Sequence, residues 1–121
     1  MSEEGKTKRY DLEDRTFVFA EKVRSLLEKT PKTISNIEDG KQLIRSSGSV
    51  GANYIEANEA LSKKDFIMRI KICRKEAKES VYWLRLLGIE RGSKLDEERM
   101  DLVQESRELT SIFGAILRKS E

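Results

Sequence analysis

Two pairs of carboxylates have the spacing closest to a catalytic centre. Glu56-x-x-Glu59 and Glu76-x-x-Glu79 each set two acidic groups three residues apart, on one face of a helix. Four such carboxylates suit magnesium, a hard cation that takes oxygen ligands. Register argues against a shared ion. If the chain reverses near Leu61-Ser62, the pairs differ in level by about 12 residues, roughly 18 Å at helical rise. Four carboxylates that far apart do not hold one metal.

Other chemistry is thinly represented. The 121 residues contain no His, which removes histidine bases, Ser-His triads, histidine metal ligands and the Glu-x-x-His motifs of di-iron bundles. Cys73 is the single cysteine, so no intrachain disulfide or Cys-rich zinc site can form, as suits a reducing compartment such as the cytoplasm. Cys73 lies on an apolar stripe, where a thiol is inert. No Ser-Lys pair stands out as a nucleophile and base. No catalytic residue, cofactor, metal or small-molecule substrate is therefore assigned.

Charge is more informative. Of 24 Lys+Arg against 22 Asp+Glu, residues 61–91 hold nine positive and four negative charges, a local excess of +5 that acidic flanks mask. Lys64, Lys71, Arg74, Lys75 and Lys78 share one face of a helix, with Tyr82 among them. Such a face is either ordinary solvated surface or a track for phosphates with an aromatic ring for base stacking.

The elements that position these groups are helices. There is one Pro, Pro31, and no long alternation of apolar and polar residues to suggest a strand. Residues 1–10 read as a polar tail, followed by a single domain over 11–121. The first helix is predicted from about Leu12 to Glu28, with Asp11 as N-cap and Phe19, Val23 and Leu26 as its stripe, broadened by Phe17, Ala20 and Leu27. The second begins near Asn36, where Ser35 and Glu38 have capping-box spacing. It carries two stripes, Leu43-Ser47-Val50-Tyr54-Ala57-Leu61 and Ile37-Gly40-Ile44-Gly48-Gly51-Ile55. The third starts after Ser62, runs through Phe66, Ile70, Cys73, Ala77, Val81 and Leu84, and ends at Gly88. The fourth spans about Asp96 to Lys119 on Leu102, Ser106, Leu109, Phe113 and Ile116. Short loops between long helices predict an all-α, antiparallel up-down-up-down four-helix bundle. The longest uninterrupted apolar runs are Phe17 to Ala20 and Val81 to Leu84, so no segment is expected to cross a membrane.

Residues 46–53, Ser-Ser-Gly-Ser-Val-Gly-Ala-Asn, have loop propensity, yet the stripes keep their phase through them. The segment is therefore read as helix, its small residues admitting a close neighbour. A phosphate loop would need G-K-[ST] after a strand, and the G-x-x-G of a KH clamp needs a sheet. Arg45, Ser49, Asn53 and Glu56 share one face at spacings 4,4,3. The level calculation puts Arg45 opposite Glu76 and Glu79, so these six are read as a structural polar network. Ile72, Trp83 and Leu86 lie beside the third helix's core stripe and are candidates for a subunit interface.

Arg45-Ser46, Ser49-Val50-Gly51-Ala52-Asn53, Glu56-Ala57, Ser62 to Phe66 and Glu76 to Leu87 together resemble the 23S ribosomal RNA intervening-sequence protein family, also called the four helix bundle protein family. Tyr10 to Phe17 and Leu27 to Lys32 are similar too; the likeness is close over about 10–88 and loose in the last helix. The resemblance implies a left-handed bundle assembled as a homopentamer, with no enzymatic activity. Some members are encoded within 23S ribosomal RNA genes, and the accessory subunits of diversity-generating retroelements share the fold and bind nucleic acid. The expected function is a non-enzymatic accessory protein contacting RNA or DNA phosphates. A protein-interaction scaffold is the alternative. A magnesium-dependent nucleotide pyrophosphohydrolase is the weaker one: such all-α enzymes have paired E-x-x-E and E-x-x-D segments, but Glu79 replaces the final Asp here.

Overall fold

The computed structural model describes the backbone of residues 2–121 and the side chains of residues 12–121. These form four helices and no strand: α1 (Ser2–Lys29), α2 (Ile34–Asn58), α3 (Lys63–Leu86) and α4 (Lys94–Ser120). α1 starts earlier than expected, so Asp11 lies inside the helix rather than capping it. The side chains of the polar tail expected over 1–10 lie outside the described residues.

Three helices start on one device. Thr33, Ser62 and Ser93 are extended in backbone, and each hydroxyl accepts from the N–H three residues on, at Asn36, Asp65 and Asp96. Thr33, not Ser35, caps α2, because the chain is already helical from Ile34. α3 also ends differently from expectation. Gly88 has no left-handed φ; instead its N–H donates to Asn36 Oδ1 at 2.7 Å. Buried Arg99 closes α3 from α4, with Nη1 donating to the carbonyls of Leu84 and Leu87 at 3.0 and 2.9 Å. Among the described residues, only Gly92, in the α3–α4 turn, needs a positive φ, at 80°.

The helices pack as a closed ring of neighbours: α1 on α2, α2 on α3, α3 on α4 and α4 on α1. Cross-helix contacts fix the levels. Cys73 Sγ lies 3.4 Å from the Val50 carbonyl, Ser46 Oγ 2.9 Å from Ser80 Oγ, and Ser106 donates to the Ala77 carbonyl at 2.7 Å. Arg15 pairs with Glu105 at 2.7 Å and Lys29 with Glu98 at 2.7 Å.

The core follows the predicted stripes. Phe19, Val23 and Leu26 meet Leu43, Val50 and Tyr54, Ile70, Cys73, Ala77 and Leu84, and Leu102, Leu109 and Phe113, all buried. The Tyr54 and Phe113 rings lie 5.9 Å apart and tilted, joining α2 to α4 across the centre. Three expectations fail. Phe17 is 61% exposed, because two residues from Phe19 is about 200° around a helix. Leu61 is 99% exposed, because α2 ends at Asn58 and helical phase no longer applies. On the second α2 stripe, Gly40 is buried, but Ile37, Ile44 and Ile55 face outward, because α2 packs only between α1 and α3.

Residues 46–53 are helical throughout. The small residues serve α1: a Cβ on Gly51 would lie 2.8 Å from Thr16 Oγ1.

Candidate nucleic-acid interface

The basic residues of α3 line one wall of a groove between α3 and α4, about 620 Å³ in volume. Lys71, Arg74, Lys75 and Lys78 are on that wall, where spacings of three and four residues keep them on one face. α4 supplies Thr110, Ser111, Gly114, Leu117, Arg118 and Glu121. Small side chains at 110, 111 and 114 keep the floor open, and Thr110 is tied down by donating to the Ser106 carbonyl at 2.8 Å. Leu117 is buried and gives the floor its apolar element.

The groove therefore holds five cations and one carboxylate side chain, Glu121. The cationic side chains are exposed. Among the described residues, only Lys75 has a carboxylate within 4.0 Å, Glu76 at 3.8 Å. The remaining cations are free to meet an anion. From Lys71 to Lys78 the row spans about 10 Å at helical rise. That is the axial length of about three phosphates of one strand at 3.4 Å each.

Two of the six sequence candidates stand outside this groove. Lys64 sits in the first turn of α3, below Lys71, and does not line it. Tyr82 is one turn beyond Lys78, 58% exposed, with its ring T-shaped against Trp83 at a centroid distance of 5.0 Å. Arg118 was not among the sequence candidates. It belongs to a different helix in a region with no basic excess, and only packing places it across from α3.

The polar network forms in two pieces. Arg45 reaches Glu76 at 4.0 Å and Glu79 at 3.8 Å, as the level calculation predicted. Ser49 and Asn53 form a separate unit with Arg69, whose guanidinium donates to Asn53 Oδ1 at 3.0 Å while Asn53 donates to the Ser49 carbonyl at 2.9 Å. Glu56 is exposed and joins neither among the described contacts. Arg69 was missed because nothing in its local pattern distinguishes it from the other basic residues of α3.

The carboxylate pairs do not converge. Glu76 and Glu79 share Arg45, and no group of three or more acidic or Cys residues able to hold a metal occurs among the described residues. Glu76 is only 5% exposed, and its Oε1 lacks a hydrogen-bond partner. Cys73 is fully buried, and burial pushes its thiol up to about 12, as expected of an unreactive core cysteine.

The family model for 23S rRNA-intervening sequence proteins matches residues 8–115, from within α1 to near the end of α4. The chain belongs to that family. A solved structure of a protein of unknown function from the S23 ribosomal protein family of Bacteroides thetaiotaomicron is similar to it, with 31% identity and a TM-score of 0.71. The likeness covers 87% of this chain and 96% of that one. No curated protein matches the chain. The match covers seven of the ten residues that line the groove; Leu117, Arg118 and Glu121 lie beyond it. No helix among the described residues is long and apolar enough to cross a membrane.

Proposed function

We propose that this chain is a non-enzymatic, nucleic-acid-binding accessory protein that contacts phosphates through the α3–α4 groove. The observation that carries the reading is the convergence of Lys71, Arg74, Lys75 and Lys78 with Arg118 from the facing helix. Binding of this kind is electrostatic, tolerant of sequence and steeply salt-dependent. If all five cations meet phosphates of one strand, log K against log[salt] falls with a slope of about −3.5. A fluorescence-anisotropy titration with a labelled RNA or DNA at low salt tests it. Micromolar binding that is lost in Lys75→Glu/Lys78→Glu supports the reading. Absence of binding at 50 mM salt sinks it and favours the protein-scaffold alternative.

The proposed assembly is a homopentamer of up-down-up-down, left-handed bundles in the cytoplasm. The cross-helix pairings Val50–Cys73, Ala77–Ser106 and Arg15–Glu105 support the alternating directions, and the family resemblance supports the handedness and subunit number. An interface on Ile72, Trp83 and Leu86 is supported by the exposure of Leu86, 47% accessible on the single chain. A light-scattering mass near 14.0 kDa, rather than five times that, would refute the pentamer.

A further inference from the structure

We infer that the α3–α4 groove takes a single strand rather than a duplex, and that Tyr82 stacks a base where the strand leaves the groove. The inference rests on the phosphate-binding role proposed for this groove.

Three observations carry it. First, cations stand on both walls. Lys71, Arg74, Lys75 and Lys78 stand on α3 and Arg118 on α4. Adjacent packed helices have axes about 8–10 Å apart. A duplex, whose grooves alone are about 6–12 Å wide, is too broad to enter between them and could touch only the rims. One strand can reach both walls at once.

Second, the floor is polar and shallowly apolar in the same place. Ser111 offers an exposed hydroxyl beside Gly114 and Leu117. Such a floor suits sugar edges, which an intact duplex backbone resting on the rims would leave uncontacted.

Third, an aromatic ring stands in line with the cations. Tyr82 follows Lys78 by four residues, one turn along the same face of α3. Its ring is exposed yet held, because Trp83 meets it at 79° rather than lying parallel on it. A T-shaped contact takes at most one face of the Tyr82 ring, so at least one face is left for a base. Cations followed by a free aromatic face are the pattern of non-specific single-strand binding. Unstacked bases are exposed on a single strand and are not exposed along a duplex.

The test is anisotropy with a labelled 12-nucleotide oligo(dT) and oligo(U), against a hairpin duplex of the same charge, using the full-length protein. The single strands should bind at least tenfold more tightly than the hairpin. Tyr82→Leu should weaken single-strand binding about tenfold, within the range for losing one base–aromatic stack, and leave the salt slope unchanged. Tyr82→Phe should retain binding. Arg118→Gln should lower the slope by about one phosphate contact. Equal or tighter hairpin binding, or an unaltered affinity in Tyr82→Leu, overturns the inference while leaving phosphate binding in place. Failure of both probes to bind overturns the proposed function itself. Circular dichroism on each variant checks that the helices persist.

Discussion

Gly51 of α2 and Thr16 of α1 are in contact so close that a Cβ on the glycine would sit 2.8 Å from Thr16 Oγ1 and 3.2 Å from its Cβ. Thr16 cannot withdraw, since it is buried and its hydroxyl donates to the Glu13 carbonyl at 2.9 Å. Gly51→Ala should therefore destabilise the fold. Overpacking costs about 1–3 kcal/mol, against a gain of about 1 kcal/mol in helix propensity. Gly48→Ala should have the opposite sign or none. Its Cβ would meet only the Arg24 guanidinium at 3.5 Å, and that exposed arm can move. Urea denaturation of the two variants checks both signs.

Asn36 clasps two loops at one end of the bundle. Its Nδ2 donates to the carbonyls of Pro31 and Gly88 at 3.0 and 3.1 Å, and its Oδ1 accepts from the Gly88 N–H at 2.7 Å. Asn36→Ala should cost about 1–3 kcal/mol, the usual loss for partly buried groups left unpaired. Asn36→Asp should be at least as damaging at neutral pH. It keeps the acceptor for Gly88 but points an oxygen at two carbonyls. Chemical denaturation at constant salt distinguishes the two variants.

Asp96 should contribute to acid sensitivity. The Gly92 N–H first, then the Arg99 guanidinium, hold its carboxyl below the ordinary value of 3.8. A carboxylate depressed in the folded state stabilises above its unfolded pKa, and that contribution fades as pH falls through the folded value. Asp96→Asn should therefore lower stability at pH 7, and its difference from the wild type should shrink below pH 3.8. Thermal unfolding across pH 2–7 reads this out.

Cys73 should act at the other end of the scale. An unfolded thiol ionises near 9.0 and the folded one near 12, because burial opposes the thiolate. Between those values the unfolded state binds fewer protons, so stability falls as pH rises, by about 1.4 kcal/mol per pH unit from this group. Cys73→Ala should be less stable than wild type at pH 8, with the gap closing from pH 9 upward. A thiol reagent at pH 8 should leave the native protein unlabelled and label it fully in guanidinium.

Glu76 should tolerate neutralisation. Its Oε1 is buried without a hydrogen bond, and its ion pairs with Arg45 and Lys75 are long, at 4.0 and 3.8 Å. A buried carboxylate so loosely paired keeps most of its desolvation cost. Glu76→Gln should change stability by less than about 1 kcal/mol, while Glu76→Lys, facing Arg45, should destabilise by several. Matched urea curves at pH 7 compare them.

Periodicity alone determined the four helices, most of the core residues on them, and the passage of α2 through its glycines, because burial recurs at helical spacing and leaves its mark on every turn. It also placed Arg45 opposite Glu76 and Glu79, since rise per residue converts chain distance from a turn into height. The lone Cys73 was legible as a core residue for the same reason. Other features depend on which helices become neighbours. The partner of Gly51 is Thr16, the carbonyls at the end of α3 are capped by Arg99, and the second wall of the basic groove is α4. Local pattern says which face of a helix is apolar, but not what stands across from its polar face. The row from Lys71 to Lys78 was therefore visible in the sequence as charge, and it became a groove only when packing set Gly114 and Arg118 beside it.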